Sequence, residues 1–193
     1  MLNKQAMEMV CTKIDSIYNE KKRMIIALDG RCCSGKTTFA NVLQEKYNCN
    51  LIHMDDFFLR PEQRTAERYR IPGGNIDYER FLEEVLVPVS KGESFIYRKF
   101  DCKLMTMLEG EEVNFSPITI VEGSYSCHPV LRNYYDLKIF LDINAQEQTD
   151  RLINRNGIEN AQIFKEKWIP LEELYFKECG VMECCDMCIA MNT

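Results

Sequence analysis

The sequence lacks any apolar run that approaches the ~20 residues needed to span a bilayer. It also lacks an excess of positive charge, since 24 Lys and Arg residues face 30 Asp and Glu residues and the formal net charge is −6. Phosphate backbones and anionic membranes are bound by clustered Lys and Arg, so this balance argues against a protein that coats either of them. We therefore expect no nucleic-acid partner and no membrane partner.

The amino-terminal segment has no signal-peptide pattern, because charged and apolar residues alternate there at helical spacing. The ten cysteines are accordingly interpreted as free thiols of a reducing compartment and not as a disulfide scaffold. Internal repeats and low-complexity tracts are also missing. A chain of 193 residues is long enough for one α/β domain with a full core. We predict a cytoplasmic protein with a single domain over residues 1–193, and a homo-oligomer is left open.

Residues 25–38 contain the spacing G-x-x-x-x-G-K-T, which is typical of the phosphate-binding loop (P-loop) of nucleotide-binding proteins. Glycines let the backbone turn so that successive N–H groups point at phosphate oxygens, and the following helix adds the positive end of its dipole. The lysine reaches the outer phosphates and the threonine hydroxyl ligates Mg²⁺. The alternative is an ordinary glycine-rich turn between a strand and a helix. The predicted nucleotide-binding residues are Gly30, Ser34, Gly35, Lys36, Thr37 and Thr38.

The pattern of apolar residues predicts alternating strands and helices. Continuous apolar runs indicate buried strands of a parallel sheet at 24–29, 50–54, 118–121, 137–141 and 187–191. Helical spacing predicts helices at 36–45, 78–87, 144–156 and 170–180. Gly157 is expected to end the third of these helices, and Asp142 is expected to cap its start.

Acidic residues follow several of the predicted strands, at the edge where ligands bind in sheets of this kind. Phosphoryl transfer needs a base for the acceptor hydroxyl, and Asp55 is the leading candidate because it directly follows the second strand. The alternative is that Asp55 or Asp56 caps the next turn. Glu122 ends the third strand, and Gly123 after it lets the backbone approach a ligand closely. We therefore assign the metal-side carboxylate to Glu122, together with the Thr37 hydroxyl.

Arg151 and Arg155 lie four residues apart and therefore on one helix face, from which they can close on the transferred phosphate. A solvated helix face is the alternative. The cysteines near the carboxyl terminus form one C-x-x-C pattern without a matched second pair, so zinc is a weak interpretation. His53 and His128 have no visible partners and are interpreted as structural.

Taken in order along the chain, the P-loop and the segments MDDFF, GGNIDYERF, VEGSY, FLD and DRLINR resemble the uridine kinase and phosphoribulokinase group of P-loop kinases. The similarity covers nearly all of residues 24–155 and is greatest to bacterial uridine kinase-family proteins. It implies that Asp55 is the base and that Asp77 holds ribose hydroxyls. It also implies that Glu122 lies beside magnesium and that Arg151 and Arg155 belong to a lid.

The chain departs from this family in the segment that reads the pyrimidine, where the family usually has an aromatic residue and a histidine. The corresponding segment here, YRKFDCKLMT, has the aromatic rings of Tyr97 and Phe100 but no histidine. The resemblance thus implies acceptor contacts from Asp77, Tyr97, Phe100 and Glu122. Most of these lie in an acceptor-binding excursion over about residues 56–115.

Sequence and resemblance together predict an α/β protein with the three-layer α/β/α P-loop kinase fold, a mostly parallel five-stranded sheet and a helical lid over about 144–168. The predicted function is transfer of a phosphoryl group from ATP (or GTP), with Mg²⁺, to a hydroxyl of a small acceptor such as uridine or cytidine. One alternative is a kinase for another small alcohol, such as a vitamin precursor or a sugar phosphate. The other is a nucleotide-binding regulator, which would need neither the base Asp55 nor the ribose contact Asp77.

Overall fold

A computed structural model describes residues 4–191 of the chain, with a parallel five-stranded sheet at its centre. The strands are β1 (Met24–Gly30), β2 (Asn50–His53), β3 (Phe95–Tyr97), β4 (Phe100–Asp101), β5 (Thr106–Met107), β6 (Glu111–Val113), β7 (Ile118–Glu122), β8 (Leu137–Asp142) and β9 (Met187–Ala190). The sheet order is β2-β7-β1-β8-β9 and every pairing in it is parallel, so the carboxyl ends of its strands meet at one edge. All residues of the central strand β1 are buried, as expected for a strand covered on both faces.

Helices cover both faces of this sheet and bury a separate apolar core on each face. The helices are α1 (Lys4–Lys21), α2 (Lys36–Tyr47), α3 (Ala66–Arg70), α4 (Tyr78–Phe81), α5 (Val87–Lys91), α6 (Ala145–Ile163), α7 (Ile169–Glu178) and α8 (Val181–Cys184). Val10 of α1 and Phe39 of α2 pack with Ile26 on one face, while α4, α5 and α7 contribute to the core on the other face. Among residues 4–191 we find no helix with the length and apolar character that crossing a membrane requires.

The three-layer α/β/α arrangement and the parallel five-stranded sheet confirm the fold predicted from the sequence. The prediction that Gly157 ends a helix is confirmed. Gly157 (φ 77°, ψ 166°) is not helical, so α6 consists of two helical segments that meet at a kink there, and the second segment runs to Ile163. This backbone conformation is open essentially to glycine alone, so Gly157 both ends the first segment and sets the bend before the second.

The prediction that Asp142 caps α6 is wrong. The Asn144 side chain caps the helix by accepting a hydrogen bond from the Glu147 backbone N–H at 2.9 Å. The Asp142 carboxylate accepts a hydrogen bond from Arg31 Nε at 2.7 Å. Both residues are common N-caps, and only the position at which the chain enters the helix distinguishes them.

Residues 58–113 leave the sheet after β2 and form the excursion that the sequence suggested. An antiparallel bridge between Phe58 and Ile76 closes its first half. Its second half contains the antiparallel pairs β3–β6 and β4–β5. Tyr97 in β3 stacks on Phe57 at 5.9 Å between ring centroids, so the second half packs against the turn that follows β2.

Candidate active site

The P-loop joins β1 to α2 at the carboxyl edge of the sheet, and positive φ angles define its path. Gly30 (φ 141°) leaves no room for a side chain, because a Cβ there would lie 2.2 Å from the Leu141 carbonyl oxygen. Cys33 (φ 61°) and Gly35 (φ 94°) turn the backbone again before α2 begins. The curled loop and the amino terminus of the 12-residue helix α2 together form an anion-binding concavity.

The Lys36 side chain is folded over this loop. Its Nζ atom donates to the carbonyl oxygens of Gly30 at 2.8 Å and Arg31 at 2.9 Å. It also lies 3.4 Å from the Ser124 hydroxyl oxygen. The ammonium group is therefore held at the position where the outer phosphates of a nucleotide would meet a P-loop.

Thr37 and Glu122 supply the oxygen atoms of the candidate metal site. The Thr37 hydroxyl donates to Glu122 Oε1 at 3.2 Å, and both side chains line the same cavity. A hydroxyl and a carboxylate suit Mg²⁺, which binds through one or two carboxylates together with phosphate oxygens and water. Residues 4–191 contain no cluster of three or more His, Cys, Asp or Glu side chains that could hold a metal by themselves.

His53 has a partner that the sequence did not reveal. Its Nδ1 atom lies 2.6 Å from Glu122 Oε1, and this hydrogen bond is the largest cause that raises the pKa of His53 above its ordinary value. His128, in contrast, stacks on Tyr78 at 4.0 Å between ring centroids, and burial lowers its pKa to about 4. His53 thus orients the candidate metal ligand, whereas His128 belongs to the packing of the excursion.

A cavity of about 870 Å³ lies above the P-loop and reaches from the lid to the excursion. Four of the six predicted nucleotide-binding residues line it, namely Gly35, Lys36, Thr37 and Thr38. Gly30 and Ser34 lie beneath the wall, because both are buried in the turn itself. The aromatic part of the wall comes from five residues: Phe58, Tyr69, Tyr125, Phe164 and Trp168.

Asp55 and Asp56 point to different surroundings from the short 3-10 turn Met54–Phe57 that follows β2. Asp55 lines the cavity. The Asp56 carboxylate accepts a hydrogen bond from the Tyr97 hydroxyl and does not line the cavity. Asp55 is therefore the one of the two that can reach an acceptor hydroxyl.

The surroundings of Asp55 disfavour its charged form. Its carboxylate is open to the cavity, but the protein that encloses the cavity displaces bulk water and raises the pKa of Asp55 above its ordinary value of 3.8. The positive charge of Lys36 lowers the pKa, and the negative charges of Glu122 and Glu172 add to the increase. A carboxylate with a raised pKa in a cleft is the kind of group that enzymes use as a base.

The three side chains expected to bind the acceptor base and ribose lie behind the wall of the cavity. Asp77 is 1% exposed, caps α4 by accepting from the Arg80 backbone N–H at 3.2 Å, and lies 3.4 Å from Arg60 Nε. Tyr97 and Phe100 are buried in the excursion. Asn75, two residues before Asp77, does line the cavity. In this conformation none of the three reaches the cavity. The acceptor role of Asp77, Tyr97 and Phe100 stays a prediction.

Both predicted lid arginines line the cavity, so neither lies on a purely solvated face. Arg151 Nη1 donates to the Cys33 carbonyl oxygen at 3.2 Å, and its Nη2 donates to Glu147 Oε1 at 2.5 Å. Arg155 Nη2 lies 3.7 Å from Cys32 Sγ. The lid helix α6 thus touches the P-loop directly through both arginines.

The sequence analysis missed several residues of the site, among them Glu172 and Ser124 beside the P-loop. Glu172 in α7 is buried, and its carboxylate accepts from the Ser124 hydroxyl at 2.6 Å and from the Cys32 backbone N–H at 3.0 Å. Ser124 follows Gly123 directly after β7, so its position past a strand end was a usable signal. Glu172 lies in an amphipathic helix far along the chain, and no local pattern distinguishes it from a solvated glutamate.

The cysteines contribute thiols and no disulfide in the structure. All ten are free, and they lie on several elements. Cys127 and Cys185 approach to 3.8 Å between their sulfur atoms beneath α8, and Cys32 and Cys33 to 3.7 Å within the P-loop.

No protein-family model matches the chain, but several known proteins are similar to it. A bifunctional alpha-galactosidase/sucrose kinase from Mediterraneibacter gnavus is 30% identical over 169 residues, which are 74% of this chain and 17% of the relative. A uridine kinase-like protein from Arabidopsis thaliana is 26% identical over 153 residues, which are 74% of this chain and 32% of the relative. The chain therefore spans less than a third of the length of either relative. A solved structure described as a possible uridine kinase from Bacillus stearothermophilus matches with a TM-score of 0.72 at 19% identity, over 98% of this chain and all of that one.

The sheet topology and the match to this solved structure show the P-loop kinase fold. The similarity to a uridine kinase-like protein and to a possible uridine kinase confirms the resemblance to the uridine kinase and phosphoribulokinase group that the sequence motifs indicated.

Proposed function

We propose that this protein is a Mg²⁺-dependent kinase that transfers the terminal phosphoryl group of ATP to a hydroxyl of a nucleoside. The observation that carries the proposal is that phosphate-binding and metal-binding groups line the same cavity as a candidate base. Lys36, Thr37 and Glu122 line it on the P-loop side, and Asp55 lines it with a raised pKa. A nucleotide-binding regulator has no use for such a base.

In the proposed reaction the Asp55 carboxylate takes the proton of the acceptor hydroxyl while the hydroxyl oxygen attacks the terminal phosphorus. The bond to the bridging oxygen breaks, and ADP leaves. Lys36 and the lid arginines neutralise negative charge on the moving group, which is the main catalytic contribution available in phosphoryl transfer. Bound Mg²⁺, which Thr37 and Glu122 would hold, would neutralise further phosphate charge.

The cavity volume of about 870 Å³ leaves room for a nucleoside beside the nucleotide, and five aromatic rings line this cavity. Stacking on aromatic rings suits a flat base, and the similarity to a uridine kinase-like protein favours a pyrimidine nucleoside. A sugar is the second candidate acceptor, because a relative at 30% identity is named a sucrose kinase. In either case the base Asp55 would serve the same hydroxyl chemistry.

The test is a panel assay of the full chain with Mg-ATP and with Mg-GTP. The acceptors are uridine, cytidine, adenosine, fructose, sucrose and pantothenate, and the phosphorylated products are identified by mass spectrometry. We expect uridine or cytidine monophosphate. Phosphorylated sugar alone would replace the nucleoside with the sugar. Tight ATP binding without any phosphorylated acceptor would contradict the kinase proposal and favour a regulator.

A further inference from the structure

Two thiols lie side by side inside the P-loop, at positions 32 and 33. Their sulfur atoms are 3.7 Å apart, and both residues line the cavity. Cys32 is buried, whereas Cys33 is partly exposed. The distance lets the Cys32 thiol donate a hydrogen bond to a thiolate on Cys33, so the more accessible sulfur can carry the negative charge.

Positive groups lie near this pair, together with the Glu172 carboxylate that accepts from the Cys32 backbone N–H. Arg155 Nη2 lies 3.7 Å from Cys32 Sγ, and Lys36 follows three residues after Cys33 at the start of α2. The hydrogen bond from Cys32, and then the charges of Arg155 and Lys36, lower the pKa of Cys33 to about 7 against the opposing effect of burial. The same hydrogen bond, burial and Glu172 raise the pKa of Cys32. Thiolate character and exposure, which together decide reactivity, therefore coincide at Cys33. They also coincide at Cys184, whose pKa is lowered by hydrogen bonds from Cys127 and Cys185, but only Cys33 of the two lines the cavity and its cationic groups.

We propose that Cys33 is a modification site, at which an anionic disulfide of low molecular weight forms a mixed disulfide within the phosphate-binding part of the cavity. The Cys33 thiolate attacks one sulfur of the disulfide R–S–S–R. The new Cys33–S–S–R bond forms as the old sulfur–sulfur bond breaks, and R–S⁻ leaves and takes a proton from water. The Cys33 sulfur is oxidised and the released thiol is the reduced product, so no other oxidant is needed.

The mixed disulfide is the end product because closure onto Cys32 is strained. Neighbouring Cα atoms across a trans peptide are about 3.8 Å apart. Disulfides usually join Cα atoms about 4.4–6.8 Å apart. The adduct on Cys33 therefore persists until a free thiol reverses the exchange.

The charge of the cavity selects the disulfide. The carboxylates of Asp55, Glu122 and Glu172 line it, but they are outnumbered by four cationic side chains: Lys36, Arg64, Arg151 and Arg155. Three of these cations, Lys36, Arg151 and Arg155, lie at the P-loop. An anionic disulfide is attracted to these groups, whereas a cationic one is repelled. The adduct would occupy the space of the outer phosphates, so modification and nucleotide binding exclude each other. This last consequence rests on the proposed nucleotide site, but the reactivity of Cys33 does not.

The experiment compares two disulfides of opposite charge on the reduced full chain at pH 7. Oxidised glutathione is the anionic probe and cystamine the cationic one. Cleavage after Arg31 and Lys36 releases the peptide CCSGK, and fragmentation of this peptide shows which sulfur is modified. At pH 7 a larger fraction of Cys33 than of Cys188 is thiolate, and this outweighs the lower nucleophilicity of a thiolate with a lowered pKa. Cys33 should therefore react at least about fivefold faster than the exposed Cys188. Oxidised glutathione should react faster than cystamine, and the difference should shrink in high salt.

Matched variants assign the sulfur. Cys33→Ser should lose the fast adduct. Cys32→Ala should keep it, with a reaction rate that reaches half its maximum at a higher pH because the hydrogen bond is gone. Cys188→Ser should change neither. Fast modification first at Cys32, at Cys102 or at Cys188, or equal rates with the two disulfides, would overturn the proposal.

Mg-ATP separates this inference from the proposed function. ATP binding is first measured on the reduced protein, where its failure would count against the nucleotide site and not against Cys33. If ATP binds, it should slow the modification of Cys33 at saturation, and the isolated adduct should not bind ATP. Unimpaired ATP binding by the adduct would overturn the mutual exclusion.

Discussion

At the scale of single residues, Asp55 and Asp56 are neighbours in sequence with opposite environments. Asp55 lines the cavity, and Asp56 is bonded to Tyr97. We expect Asp55→Asn to lower kcat by about 10² to 10⁴ because the amide cannot take a proton. Asp56→Asn is the matched control and should keep kcat while losing about 1 kcal/mol of stability with the weakened hydrogen bond. Steady-state kinetics and thermal unfolding of both variants measure this. A fully active Asp55→Asn with an inactive Asp56→Asn would move the base to Asp56.

The raised pKa of Asp55 predicts a pH dependence of the rate. A base works in its deprotonated form, so kcat should fall as the pH is lowered through the pKa of Asp55. Because enclosure raises this pKa above the ordinary 3.8, the acidic fall in kcat should begin at a higher pH than for a solvated aspartate. Rate profiles of wild type and of the residual activity of Asp55→Asn test it. The same acidic fall in both proteins would show that another group titrates.

Asn75 lines the cavity and Asp77 lies behind its wall. Substitution of Asp77 should therefore affect stability, and substitution of Asn75 should affect the acceptor KM. Asp77 caps α4 and lies beside Arg60 and Arg80, so we expect Asp77→Asn to lose about 1 kcal/mol or more of stability with little change in the acceptor KM. Asn75→Ala should raise the acceptor KM instead, since Asn75 lines the cavity. If Asp77→Asn raises the acceptor KM at unchanged stability, the role implied by the family resemblance holds and the excursion must rearrange when the acceptor binds.

The residues that the sequence placed correctly are those whose position follows from local spacing. The place of the P-loop between a strand and a helix could be predicted because turn, lysine, threonine and helix start lie within eight residues, and the place of Asp55 because it follows a strand end. Tyr97 could not be placed from the sequence, because the hydrogen bond that turns it toward Asp56 joins residues 41 positions apart. Glu172 joins the P-loop from a distance of 140 residues, and only the folded chain brings the two together.

At the scale of elements, the lid helix α6 illustrates what a pattern can and cannot predict. Helical spacing predicted the helix and placed Arg151 and Arg155 on one face, and both do line the cavity. The same pattern predicted that Gly157 ends the helix, and the first helical segment does end there. The second segment, which continues to Ile163 after the kink, was not predicted as a helix from the spacing.

The position of the lid arginines predicts a kinetic signature. Arg155→Ala and Arg151→Ala should each lower kcat more than they weaken ATP binding, because contacts made with the moving phosphoryl group count mainly in the transition state. Arg151→Ala should also loosen the lid, since it removes the hydrogen bonds to Cys33 and Glu147. Kinetics and ATP titration of both, with Lys177→Ala on the exposed face of α7 as control, provide the measurement. Unchanged kcat in both variants would assign the arginines to a structural role.

At the scale of the whole molecule, one sheet connects everything that the site needs. The two apolar cores lie on opposite faces of the same strands, as Ala27 belongs to one and Ile26 to the other. Because both cores pack on β1, the loss of either core would expose buried apolar residues of this strand to water. The P-loop, the candidate metal ligand Glu122 and the candidate base Asp55 all lie at the carboxyl ends of these strands, so the integrity of the sheet fixes their relative positions.

This shared sheet predicts that the chain unfolds as one unit and that nucleotide binding stabilises all of it. Calorimetry should give a single transition whose calorimetric and van't Hoff enthalpies agree. Mg-ATP at 100 times its Kd should add about 2.7 kcal/mol of stability, which raises Tm by about 5–10 °C in a domain of this size. Lys36→Ala should keep the single transition, because Lys36 packs in no core, but should lose most of the increase in Tm and the turnover. Two separate transitions would contradict the single domain, and an equal increase in Tm for Lys36→Ala would contradict the P-loop as the site of ATP binding.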